Sequence, residues 1–171
     1  MLTELECYYH RINDLRNQIN QLITGCSTEA LNWRPLQSNG DPNEQSINSI
    51  AILCEHIAGA EDYWISEIIG NSPEIRNRIA EFLIIAQDKS ELIKRLDKTN
   101  QRTSDVFKNL SNDALNEFRI VDGHEVHVRW GIVHVIDHTA LHLGHMQITY
   151  QLYNKGVGIQ SPFWYERLPK V

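Results

Sequence analysis

Four long stretches of the chain carry apolar residues at steps of three and four positions, a spacing that predicts amphipathic helices. The predicted helices cover residues 3–25, 46–69, 88–110 and 128–153. The first opens on Thr3 and Glu6 in the form of a capping box, and the third opens on Asp88 and Glu91 in the same form. Because no strand-forming core accompanies them, the helices must bury their apolar faces against one another, which predicts an all-α four-helix bundle.

The connections between the predicted helices are unequal in length. Residues 32–46 and 70–90 are long for a simple up-and-down bundle, and they favour crossover connections between distant helix ends. Residues 74–86 fit either a further short helix or an irregular crossover, and their pattern does not decide between the two.

Two segments outside the predicted helices have patterns of their own. Residues 118–128 alternate in polarity around Asp122-Gly123, which indicates a small hairpin or an ordered loop. The aromatic run 163–165 follows the last helix, and we expect it to pack back onto the bundle. The alternatives for this run are that it lines a pocket or contacts another subunit.

Composition limits the class of protein. The 171 residues fit a single domain, 1–171. A net charge of −6 provides no basic surface for phosphates, so nucleic acid is not expected as a partner. No apolar stretch approaches the roughly 20 residues of a membrane span, and no secretory signal is visible, so a cytoplasmic location is expected. The cysteines, Cys7, Cys26 and Cys54, lack a C-x-x-C spacing, which argues against disulfides and thiolate-bound zinc.

Histidines are concentrated in the fourth predicted helix. His134, His138, His142 and His145 lie within twelve residues, and His56 lies in the second helix. At about 1.5 Å rise per residue, neighbours four positions apart are about 6 Å apart on one face, so one ion can bind two consecutive members of the row. The pairs 134/138, 138/142 and 142/145 all remain open. The third ligand must come from another helix, and His56 has a depth in its helix similar to that of His138.

A structural role for these histidines is the main alternative. A lone histidine such as His56 is more often hydrogen-bonded inside a core than bound to metal. However, apolar neighbours such as Val135 and Ile136 indicate that part of the row faces the interior, where several neutral imidazoles need partners and a shared cation satisfies them. The remaining histidines are poorer candidates: His10, His124 and His127.

Three motifs resemble those of a known family. They are Leu53-Cys-Glu-His56-Ile-Ala-Gly-Ala-Glu61-Asp-Tyr-Trp64, His138-Thr-Ala-Leu-His142-Leu-Gly144-His145-Met-Gln, and Trp33-Arg34-Pro35. Together they resemble the DinB/YfiT-like metalloenzymes over nearly the whole chain. The resemblance implies a four-helix bundle of unusual connectivity, often dimeric, with a divalent ion bound by three histidines, most often zinc or nickel, with iron or manganese as further candidates.

The same resemblance selects one ligand set from the open pairs. Mapped by motif, the metal ligands are His56, His138 and His142. Many relatives carry Arg-Gly-Gln after the last ligand, whereas this chain has Leu143-Gly144-His145, which resembles another branch and weakens the transfer of substrate chemistry. Some relatives use bacillithiol or mycothiol in transferase or isomerase reactions.

Three imidazoles without a thiolate leave a coordination position for water or substrate, as in catalytic zinc sites. The leading hypothesis is therefore a metal-dependent transferase that joins a low-molecular-weight thiol to a small electrophile, ahead of a metal-dependent hydrolase. His145, Glu61 and His134 are candidates for proton handling or for support of the ligands, whereas Asp137 is more simply a solvated helix residue. The competing hypotheses are a non-catalytic metal- or ligand-binding, stress-related protein and a helical module without metal. A homodimer is a family-level expectation.

Overall fold

The structure is a computed structural model that describes residues 2–36 and 47–168. It is mostly helical, with one small antiparallel sheet. The elements are α1 (Glu4–Gly25), α2 (Thr28–Asn32), α3 (Ile50–Glu61), α4 (Arg78–Glu81), α5 (Lys89–Asn109), β1 (Phe118–Val121), β2 (His124–His127) and α6 (Val128–Tyr153). Across the described ranges, every helix is too short or too polar to span a membrane.

Helix α1 has the predicted start and end. The Thr3 side chain accepts a hydrogen bond from the backbone N–H of Glu6, and the Glu6 carboxylate accepts one from the backbone N–H of Thr3 at 2.7 Å. This reciprocal pair satisfies amide groups that the first helical turn leaves without partners. The apolar stripe of α1 is buried: Leu5, Ile12, Leu15, Ile19, Leu22 and Ile23.

The second long helix begins later than its pattern predicted. The predicted start at Ser46 lies outside the described residues, and Ile47 is exposed and not helical. Helix α3 begins at Ile50 because the Ser49 hydroxyl accepts the backbone N–H of Ile52 and provides the N-cap. A π-helical segment, Asp62–Ile69, continues α3 to the predicted end.

Residues 74–86 combine both of the predicted possibilities. They contain a single short helix, α4, within otherwise irregular chain. Helix α5 follows and starts as expected, although its cap differs from a true capping box. The Asp88 carboxylate accepts the backbone N–H of Ser90, and Glu91 binds the amide of Gln87 instead of that of Asp88.

Of the two possibilities predicted for residues 118–128, the structure has the hairpin. Strands β1 and β2 pair antiparallel, with Phe118 opposite His127 and Val121 opposite His124. The two turn residues, Asp122 and Gly123, have φ of 48° and 79°, as a tight two-residue hairpin turn requires. Helix α6 starts directly after β2.

A hydrogen bond and an ion pair at the helix ends show how α1 lies against its neighbours. Lys89, at the start of α5, donates to the carbonyl of Thr24 at the end of α1, so these helices are antiparallel. Arg129, at the start of α6, binds Glu4 at the start of α1 at 2.7 Å, so α1 and α6 are parallel.

Helices α3 and α5 run in the same direction. Glu55 binds Arg95, and Asp62 binds Arg102. Each partner of the second pair lies seven residues after the corresponding partner of the first. Parallel neighbours cannot be joined by a tight turn, because the chain must return along the helix length. The segment between Gly70 and Asp88 makes this return, and α4 within it packs against α3.

The C-terminal aromatic run differs from its prediction. Phe163, Trp164 and Tyr165 each expose more than half of their accessible surface, so the expectation that they pack onto the helices is wrong. The tail is attached by smaller contacts: Arg167 binds Asp14 on α1.

Candidate metal centre

His56 lies on the most deeply buried helix of the described chain. Eleven of the twelve residues of α3 are buried, and His56 is only 8% exposed. Helix α6 runs alongside and presents His138 and His142, one turn apart, with ring centroids 4.4 Å from each other. The Nε2 atoms of His56 and His138 are 3.0 Å apart, and the rings of His56 and His142 are 5.0 Å apart between centroids. The structure thus brings together two segments that are 82 residues apart in the chain.

Burial keeps the imidazoles of His138 and His142 neutral. Burial, with a smaller contribution from the neighbouring imidazoles of His142 and His56, lowers the pKa of His138 from 6.5 to about 3. Burial likewise lowers the pKa of His142 to about 4, with His56 and His145 adding to the effect. At neutral pH both rings therefore carry a free nitrogen lone pair, the form that binds metal.

A carboxylate that the sequence did not predict contacts the site. Glu81, on α4, lies 3.0 Å from Nδ1 of His56 and is also bound by Arg76. Burial raises the pKa of Glu81, but the hydrogen bonds from His56 and Arg76 outweigh it and hold the pKa below its ordinary value. No spacing could have identified Glu81, because 25 residues and a change of direction separate it from His56.

Aromatic side chains extend the histidine row toward the start of α6. The ring of His134 stacks on Trp130 with a centroid distance of 4.9 Å, and it also meets Trp64 at 5.3 Å. Burial lowers the pKa of His134, against the effect of Asp137. The ring centroids of His134 and His138 are 5.7 Å apart. His134 therefore lies beside the three-histidine cluster and is not a member of it.

The other candidate residues have separate positions. His145 is exposed, and its Nδ1 lies 3.3 Å from Nδ1 of His142. Asp137 is exposed on α6. Glu61 is buried, but its carboxylate binds Arg16 and the Thr103 hydroxyl instead of a histidine. The structure therefore leaves His145 beside the site and places Glu61 in a different cluster.

The donor set fits a divalent ion. One nitrogen from each of His56, His138 and His142 lies within 4.8 Å of the other two. A zinc-sized ion binds imidazole nitrogen at about 2.0–2.1 Å, which places two ligands of a tetrahedral site roughly 3.4 Å apart. The Nε2 atoms of His56 and His138, 3.0 Å apart, have a separation close to this value. The three histidines could hold a metal ion and leave a further coordination position open.

The chain belongs to the DinB/YfiT-like class of proteins, and its helical fold and three-histidine cluster agree with that class. Within that class, the family model described as mycothiol-S-transferase matches residues 9–154, and the chain belongs to this family. The chain is also similar to the uncharacterized protein YkkA of Bacillus subtilis, with 25% identity over 154 residues, covering 79% of this chain and 87% of that protein.

The fold has a counterpart among solved structures. The crystal structure of a conserved protein from Enterococcus faecalis superimposes with a TM-score of 0.69 at 16% sequence identity. The match covers 91% of this chain and 99% of that one. It supports the helical fold of this family.

Proposed function

We propose that this protein is a metal-dependent thiol S-transferase with His56, His138 and His142 as its metal ligands. The observation that carries the proposal is the convergence of these three imidazoles from α3 and α6, whose ligand nitrogens lie within 4.8 Å of one another. Family membership supports the thiol as one substrate, because the family model is described by mycothiol transfer.

The chemistry needs few groups. A bound divalent ion would supply Lewis acidity that lowers the pKa of a thiol toward neutrality. The thiol proton passes to an imidazole, and His145 is the proposed acceptor because it is exposed and adjacent to His142. The sulfur then forms a bond to an electrophilic carbon, and the leaving group departs with its electron pair. Trp130 and His134 form an aromatic wall that can hold the electrophile and exclude water.

The finer features of the proposal follow the family resemblance. The thiol is of the bacillithiol or mycothiol type, and the metal is zinc or nickel in the first place, with iron or manganese next. We also propose a single domain, 1–171, folded as a four-helix bundle with long crossover connections, which acts as a cytoplasmic homodimer.

The test begins with metal content after purification without an affinity tag. Metal-loaded protein is then incubated with bacillithiol-type thiols and with epoxide or halide electrophiles, and the thioether product is measured by mass spectrometry. We expect stoichiometric metal and metal-dependent thioether formation. His142→Ala should lose both, whereas His10→Ala, which alters an exposed histidine on α1, should retain both.

Each other outcome favours a competing function. An electrophile converted to its hydrolysis product, without incorporation of the thiol, would replace the transferase by a hydrolase. Stoichiometric metal without turnover over a broad panel would favour a non-catalytic binding protein. Sub-stoichiometric binding of every divalent ion tried would contradict the metal site itself.

A further inference from the structure

The hydrogen bond between Glu81 and His56 determines which nitrogen of His56 faces the cluster. An ionised carboxylate has only acceptor atoms, so the proton of the bond must be on Nδ1 of His56. The Nε2 atom of the neutral ring then has a lone pair, and this is the atom that lies 3.0 Å from Nε2 of His138. Without Glu81, the ring would be free to carry its proton on Nε2, where it would block metal binding.

Glu81 is held in one orientation by a guanidinium and a glycine. Arg76 donates from Nε to Oε1 of Glu81 at 2.6 Å and from Nη2 to Oε2 at 3.0 Å. On the other side, Oε1 occupies the space where a side chain at Gly59 would begin, so a Cβ atom at position 59 would overlap it. The position of the Glu81 carboxylate therefore requires a residue without a side chain at position 59, one turn from His56 on α3.

The chain around Glu81 is anchored at several points. We name residues 75–82 the strap. Glu67 accepts the backbone N–H groups of Ile75 and Arg76, both at 2.7 Å, and the Asn77 side chain caps α4. At the far end of the strap, the ring of Phe82 packs on the ring of His56 at 5.3 Å. These contacts hold an otherwise irregular segment against one histidine.

We propose that Glu81 is a positioning residue that fixes the tautomer of His56 and so sets the metal affinity of the site, and that the strap delivers it. The inference rests on the proposed metal site. Carboxylates that bind the second nitrogen of a ligand histidine orient the ring and increase its basicity. Because coupling is reciprocal, metal binding should also stabilise the strap.

The competing explanation is that Glu81 only neutralises Arg76. Three substitutions separate the explanations. Glu81→Ala removes the carboxylate altogether. Glu81→Gln keeps the shape and the acceptor oxygen but removes the charge. Gly59→Ala leaves every polar group in the chain and only displaces the carboxylate. Matched controls are Glu55→Gln, which alters a Glu–Arg pair beside His56 without touching a histidine, and Gly144→Ala, which adds a methyl group to α6 in open space.

The first measurement is the affinity for Co²⁺. Binding is monitored by the visible absorption of the bound ion, and Zn²⁺ is then added as a competitor. We expect binding about 10–100-fold weaker in Glu81→Ala and Gly59→Ala. The Co²⁺ affinity of Glu81→Gln should lie between those of these two variants and that of the parent protein. Both control variants should have the affinity of the parent. Thermal unfolding of each variant identifies any that is not folded, and Glu81→Gln then carries the test.

The second measurement needs no metal. The ¹⁵N shifts of His56 in the metal-free protein should show the Nδ1–H tautomer, with the Nε2–H tautomer appearing in Glu81→Ala and Gly59→Ala. Hydrogen exchange of the strap should slow on addition of Co²⁺. If Glu81→Ala and Gly59→Ala both kept the His56 tautomer and the Co²⁺ affinity of the parent protein, the inference would be overturned and the metal site would remain intact. Absence of Co²⁺ binding by the parent protein would instead overturn the proposed function and the affinity claim, and the tautomer result alone would then decide the role of Glu81.

Discussion

Burial determines the charge state of several single residues in this protein. It keeps His138 neutral by lowering its pKa to about 3, and it acts in the opposite sense on thiols, whose charged form is the deprotonated one. The pKa of Cys26 rises from 9.0 to about 11, and that of Cys54 is raised still further. Cys7, in contrast, is exposed on α1.

These positions predict the order in which the thiols react. At pH 8, iodoacetamide should modify Cys7 in the native protein and leave Cys26 and Cys54 unmodified until the protein unfolds, because the reactive form is an accessible thiolate. Peptide mapping by mass spectrometry measures the order. Rapid modification of Cys54 in the folded protein would contradict its buried position.

The raised pKa of Cys26 also predicts a pH dependence of stability. In the unfolded chain this thiol ionises near pH 9, whereas in the folded protein it stays protonated until about pH 11. The unfolded state therefore loses its proton first, and the free energy of unfolding should decrease between these values. Cys26→Ser should show a smaller decrease than the parent protein when unfolding is measured by urea titration at several pH values.

Two glycines, Gly123 in the hairpin turn and Gly144 in α6, have different structural roles. The hairpin turn requires φ of 79° at Gly123, a conformation that side chains disfavour, although nothing lies within 4 Å of its missing Cβ. Gly144 has equally open surroundings but lies inside α6, where the backbone is helical. The two glycines thus differ in backbone conformation and not in packing.

Alanine should therefore have opposite effects at the two glycines. Gly123→Ala should reduce the free energy of unfolding by about 1–2 kcal/mol, because the left-handed conformation is strained for alanine. Gly144→Ala should increase it by about 0.5–1 kcal/mol, because alanine loses less conformational entropy in a helix. Chemical denaturation of both variants measures the difference, and a loss of stability at Gly144 would show a contact there that the structure lacks.

Buried ion pairs join the long helices of the molecule to one another. Arg16 on α1 binds Glu61 at the end of α3, and both side chains are at most 5% exposed. A charge buried at such a position depends on its partner, because water cannot replace it. Glu61 therefore supports helix packing some distance from the histidines.

Removal of one partner should be costly for the whole fold. We expect Arg16→Ala to reduce the free energy of unfolding by about 3–5 kcal/mol, since Glu61 would remain buried without its partner. Lys108→Ala, which removes an exposed pair with Asp105, should change it by no more than about 1 kcal/mol. Urea titrations of both variants provide the comparison, and similar small losses would mean that water reaches Glu61.

Metal binding should stabilise the molecule as a whole. An ion that binds only the folded state adds about 2.7 kcal/mol when its free concentration is 100 times its dissociation constant. Thermal unfolding with and without Zn²⁺ should therefore show an increase in Tm for the parent protein, and His142→Ala should show almost none. An equal increase in the variant would place the ion at another site.

Local signals in the chain determined most of the helices and the hairpin. The capping box at Thr3, the apolar stripe of α1 and the Asp122-Gly123 turn act within a few residues, and the structure agrees with them. The second helix begins later than predicted: Ile47 fits the apolar periodicity of the helix, but the Ser49 cap sets the start at Ile50.

The candidate site also has one part that the sequence predicts and one part that depends on the tertiary structure. Helical spacing placed His138 and His142 on one face of α6, but spacing and depth left three histidine pairs open, and only the family motifs chose among them. The amino-acid sequence by itself thus determined helices, hairpin and the histidine row, because these depend on neighbours along the chain. Only the tertiary structure decided that Glu81 meets His56 and that Glu61 meets Arg16, because those contacts depend on how distant segments cross and pack.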